Sequence, residues 1–179
     1  MDHAPDLTVL VKTSLAGQYA ASLAMLRGCI DAADAAAWVA PSGRRPFWHV
    51  AYHLLFITDL YLSPDEKSFR PRPFHRENYE LLSTPPWAPE RKVVTADDPY
   101  EPAVLSEYVD LLRAKARESV GNETAQSLAG PSGFDWLPFP RLELHVYNVR
   151  HIQHHTGQLT AALRRTSDKG VPWIGRGSL

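Results

Sequence analysis

The chain is poor in sulfur, with one cysteine and two methionines in 179 residues, and it has no run of 18 apolar residues. A lone thiol, Cys29, excludes an intrachain disulfide framework and a multi-cysteine metal cluster, and it fits a reducing cytoplasm. Without a long apolar run there is no candidate membrane span. The opening MDHAPDLTVLVKTS, with two acids ahead of its first lysine, does not have the pattern of an export signal. An excess of positive charge is also missing. Lys and Arg number 19 against 20 Asp and Glu, a formal net charge of -1, so nucleic acid is not an expected partner. Strand-type alternation, internal repeats and low-complexity segments are absent as well. What remains is one expected domain over residues 1–179, long enough to bury a substantial core.

Proline divides this chain. Eleven of its fifteen prolines fall between Pro64 and Pro140, yet none lies between Ala103 and Gly130, and interior proline is what a helix excludes. The pattern predicts an all-α chain of four helices: about Asp6 to Trp38, Phe47 to Leu62, Pro102 to Val120 and Pro140 to Arg165. The first, interrupted by Gly17 and Gly28 at roughly 1 kcal/mol each relative to Ala, reads as one helix or two. Pro46 suits a first helical turn, and Gly121 with Asn122 reads as a left-handed cap on the third helix. The helical core is expected over about 6–166, with a C-terminal tail from 167 to 179.

Nearly forty residues, SPDEKSFRPRPFHRENYELLSTPPWAPERKVVTADDPY, separate helices two and three, enough to cross the length of a helical bundle. The loop before helix four carries Phe134, Trp136 and Phe139. Such aromatic loops either cover a site or pack over helix ends.

The chemistry concentrates in HVYNVRHIQHHTGQLTAALRR. On a helix, His151 and His155 stand about 40 degrees apart and one turn along, so their imidazoles can converge on one ion, whereas His154 and His145 point to other flanks. An isolated pair of this kind is more often a pair of surface or partly buried histidines than a metal site. In the second helix, however, His49 and His53 repeat the i, i+4 spacing on an apolar face. Two inward pairs on two helices favour a metal site, for which neutral imidazole is a good donor to zinc-type divalent ions. Asn148 shares the face of His151 and His155, where it could orient a ligand or bind a neighbouring helix. Ile152 occupies the position after His151 where zinc proteases carry their glutamate base, which argues against peptide hydrolysis by that route. Arg44, Arg45, Arg70 and Arg72 are expected to be solvated, with attraction of an anionic substrate as the other reading. His3 and His75 are expected at the surface.

A long first helix, an inward histidine midway along the second, a long crossover and a late HxxxHxGQL (His151, His155, Gly157, Gln158, Leu159) resemble the DinB/YfiT superfamily of metal-dependent proteins. The resemblance spans about Asp6 to Arg165. It implies a four-helix bundle with a long crossover between helices two and three. It also implies a divalent ion, zinc or nickel, held by one histidine of helix two and the HxxxH pair. On this chain those ligands are His53, which precedes the apolar run LLFITDLYL, and His151 and His155. His49 is the less favoured alternative or a supporting neighbour. The resemblance further implies a homodimer, a small-molecule substrate and transfer of a low-molecular-weight thiol such as bacillithiol or mycothiol. Metal-dependent hydrolysis and a non-catalytic metal- or ligand-binding bundle are its alternatives. No general base is evident.

Overall fold

The computed structural model describes residues 6–86, 88–94 and 98–179, and His3 lies outside them. The fold is mainly helical, with 58% of the described residues in helix. Its long elements are α1 (Leu7–Ala32), α3 (Phe47–Tyr61), α4 (Pro102–Asn122) and α6 (Arg141–Ser167). Two short helices, α2 (Ala35–Val39) and α5 (Ala125–Ala129), follow α1 and α4. No helix among the described residues is long and apolar enough to cross a membrane.

Local chemistry sets these boundaries. Asp6 caps α1 by accepting from the Thr8 amide at 2.8 Å. The first helical segment divides at Ala33, where the chain turns extended and Asp34 caps α2 through the Ala37 amide. Gly17 and Gly28 do not interrupt α1. They make room for the C-terminal tail, whose Arg176 and Val171 side chains lie 3.1 and 3.0 Å from where a Cβ would stand. The expected left-handed cap at Gly121 is not formed, since α4 runs on through Asn122 and ends at an extended Glu123. Pro46 and Pro140, each extended, immediately precede α3 and α6.

One small antiparallel hairpin, β1 (Pro41–Ser42) with β2 (Arg45–Pro46), was not expected from the sequence. Two-residue strands are too short to display alternation. Gly43 turns the hairpin at φ 79°, in the left-handed region that favours glycine.

Long-range pairs give the helix directions. Tyr19 meets His145 and Cys29 meets Thr160, so α1 and α6 run the same way. Lys12 reaches Gly121 and Arg27 reaches Asp110, so α4 opposes α1. His53 meets His151 and Asn148 bonds Thr58, so α3 opposes α6. α3 and α4 are therefore parallel, and the chain between them must travel back along the full length of α3, about 22 Å at 1.5 Å per residue.

That crossover is anchored. The guanidinium of Arg72 donates to both carboxylate oxygens of the buried Asp59 at 2.7 and 3.1 Å, and Lys115 and Tyr108 of α4 donate to the same group. Arg72 is thus drawn onto a buried ion pair, not left in solvent. His75 is likewise half-buried: it shares a 2.6 Å hydrogen bond with the Tyr52 hydroxyl and stacks on Phe56. Tyr100 stacks on Tyr52 at 4.4 Å, and the Trp38 indole donates to the Tyr100 carbonyl. Phe134 packs on Tyr61 and Phe139 on Tyr147, so the loop before α6 closes a separate cluster at the far end of α3.

Candidate metal centre

α3 and α6 bring His53, His151 and His155 together, with one ring nitrogen from each lying within 4.8 Å of the others. The Nε2 atoms of His53 and His151 are 3.3 Å apart. Two imidazole nitrogens bound at tetrahedral angles to one zinc-type ion, each at about 2.0–2.1 Å, would be separated by about 3.3 Å. The ring centroids lie 5.2, 4.9 and 4.6 Å apart at steep mutual angles, the arrangement of rings aimed at a common point instead of stacked.

Hydrogen bonds fix the tautomers of two of the three histidines. A carbonyl only accepts, so the 2.6 Å contact of His53 Nδ1 with the Glu80 carbonyl places a proton on Nδ1 and frees the Nε2 lone pair. His155 Nδ1 donates to Gln158 Oε1, also at 2.6 Å, with the same result. His151 Nδ1 is buried with no partner among the described residues. The orienting contacts come from unlike sources. Gln158 lies one helical turn from His155 and is readable from spacing, whereas the Glu80 carbonyl is backbone on the crossover.

The imidazoles are poised neutral. Burial, with the coulombic influence of His155 and His49, outweighs the Glu80 hydrogen bond and lowers His53 to about 4. Burial and the neighbouring histidines push His151 down to about 2. Burial also lowers His155, opposed by Gln158. Neutral imidazole is the form that binds a divalent ion.

The other sequence candidates lie elsewhere. His49 is fully buried and stacked on Trp48, outside the trio, with neither ring nitrogen partnered among the described residues. Asn148 gives its amide to the Thr58 carbonyl at 3.3 Å, a helix-to-helix bond, and makes no hydrogen bond to the three histidines among the described residues. His154 is exposed. His145 is wholly buried in a different network, donating to Glu123 through Nε2 and sharing a hydrogen bond with the Tyr19 hydroxyl at Nδ1, each at 3.1 Å.

The centre is framed by the hairpin and the crossover. A Cβ at Gly43 would sit 3.9 Å from Gln158 Nε2. Arg45 Nε donates to the Leu82 carbonyl at 3.0 Å, two residues beyond Glu80. Arg91 holds the Glu80 carboxylate and also donates to Asn78. No known protein-family model, characterised protein or solved structure matches the chain. Three nitrogen donors converging from two helices, two of them locked in the ligating tautomer, are compatible with a metal ion.

Proposed function

We propose that this chain is a metal-dependent enzyme of the DinB-like kind, a four-helix bundle built around a divalent ion held by His53, His151 and His155, and that it transfers a low-molecular-weight thiol to a small electrophile. The observation that carries the reading is the convergence of three neutral imidazoles from α3 and α6, with His53 and His155 oriented by the Glu80 carbonyl and Gln158. An ion bound by neutral ligands keeps its full charge and, at an open coordination position, lowers the pKa of water or a thiol.

The chain's own residues supply orientation and a water-poor setting. They do not supply the sulfur. Cys29 is fully buried beside Thr160, and burial raises its thiol pKa, so the nucleophile must enter from outside. In the reaction the thiol gives its proton to solvent, a sulfur–carbon bond forms, and the bond from carbon to the leaving group breaks with its electron pair on the leaving group, which departs as the anion or takes up a proton from solvent. The loop carrying Phe134 and Phe139 packs at the opposite end of α3 and takes no part.

The test is to load the full chain with zinc or nickel and assay bacillithiol, mycothiol, glutathione and cysteine against a panel of electrophiles. Conjugation faster than buffer, abolished by His151→Ala and unchanged by Cys29→Ser, is expected. Turnover of esters or amides in place of conjugation makes the protein a hydrolase, and inertness toward both classes makes it a binding bundle.

A further inference from the structure

The hairpin and crossover that frame the three histidines carry six arginines, and three of them face a carboxylate. Arg72 faces Asp59, Arg76 faces Asp98 and Arg91 faces Glu80. Arg45 differs. It is half-buried and has no carboxylate partner among the described residues, and its guanidinium bonds the Leu82 carbonyl through Nε alone.

Its position ties it to both oriented ligands. Leu82 lies two residues beyond the carbonyl that holds His53, and Gly43, two residues before Arg45, lies against the Gln158 that holds His155. The charge of Arg45 also reaches His49, one turn before His53, where it disfavours protonation of that imidazole. On the same hairpin, the buried Ser42 hydroxyl has no hydrogen-bond partner among the described residues.

A partly desolvated guanidinium without a counter-ion is unfavourable, and a bound anion offsets that. With Nε occupied, the two Nη groups remain as a planar fork that matches the two oxygens of a carboxylate. The surroundings favour an anion too, because the histidines are neutral, the ion they hold is positive, and the nearby Glu80 is already paired with Arg91.

We infer that Arg45 recognises a carboxylate on the small molecule that enters the three-histidine centre, so that the site takes organic anions with a sulfur or oxygen donor at one end and a carboxylate at the other. This rests on the metal-centre reading above and names its ligand class.

The test compares two thiols of matched length, 3-mercaptopropionate and 3-mercapto-1-propanol, by calorimetric titration of the zinc-loaded full chain. The acid should bind about tenfold tighter than the alcohol, as expected for a charge-assisted forked contact. Arg45→Gln and Arg45→Met should bring the acid down to the alcohol while leaving the alcohol unchanged. Arg44→Gln, at an exposed neighbour, should keep the preference. Circular dichroism identifies which Arg45 variant is folded, and either one decides. Equal binding of the two thiols by the unaltered chain, or a preference that survives loss of the Arg45 charge, overturns the inference while zinc content stays intact. A chain that holds no zinc overturns the metal-centre reading and this inference with it.

Discussion

His53, a side chain of α3, donates from Nδ1 to the backbone carbonyl of Glu80 at 2.6 Å, so a helix-borne imidazole is aimed by the crossover loop. Glu80 is in turn held by Arg91, which also bonds Asn78 at 3.2 Å. Asn78 sits at φ 68°, an uncommon conformation for a residue other than glycine. The orientation of His53 therefore depends on a path of backbone far from it in sequence. Arg91→Ala should weaken zinc binding by about tenfold without changing helical content, since it loosens an orienting contact and leaves the ligand in place. Competition with a chromogenic chelator measures this, and unchanged affinity would detach the crossover from the centre.

Gln158 performs the matching task for His155 within one helix. Gln158→Leu keeps the volume and removes the acceptor. Zinc affinity should fall by about 10–100-fold, with little change in the urea midpoint of the metal-free protein. A loss of stability without a loss of affinity would make Gln158 a packing residue only.

Much of this centre was legible in the sequence, and what escaped did so for physical reasons. The i, i+4 spacing of His151 and His155 fixes their shared face once a helix is granted, and the same geometry points His154 away. The Glu80 carbonyl could not be read, because every residue has a carbonyl and only the path of the crossover selects this one. Arg72 and His75 looked like surface residues because their partners, Asp59 and Tyr52, lie on α3, and a proline-rich loop gives no sign of which side chains will fold back onto it. Gly17 and Gly28 looked like flaws in a helix until the tail was seen to lie against them.

Packing gives a check independent of metal. Leu159 on α6 is fully buried beside Ile152 and Leu163, which are also inaccessible. Leu159→Ala should cost about 2–5 kcal/mol in urea unfolding. A change below about 0.5 kcal/mol would mean that α6 presents a different face to its neighbours.

The lowered histidines give the metal-free protein an acid-sensitive stability. In the unfolded chain each imidazole takes up a proton near pH 6.5, whereas folded His53 resists until about 4 and folded His151 until about 2. Below pH 6.5 the unfolded state therefore binds more protons, and folding stability falls with acid by about 1.4 kcal/mol per pH unit for each such histidine until its folded value is reached. The stability is fully present above pH 6.5 and is lost on descending from there. Urea titrations in chelator at pH 7.5 and 5.0 should show this drop, and His151→Leu should reduce it by about one histidine's share. A flat response across that interval would mean that the folded histidines protonate as freely as unfolded ones.

The most direct test of the centre is metal stoichiometry in protein purified without a histidine tag, with the unaltered chain compared with His53→Ala, His151→Ala, His155→Ala and His154→Ala. The account predicts about one divalent ion per chain, lost in each of the first three variants and retained in His154→Ala. Equal metal content in all four variants, or none in the unaltered chain after incubation with zinc or nickel, would contradict it.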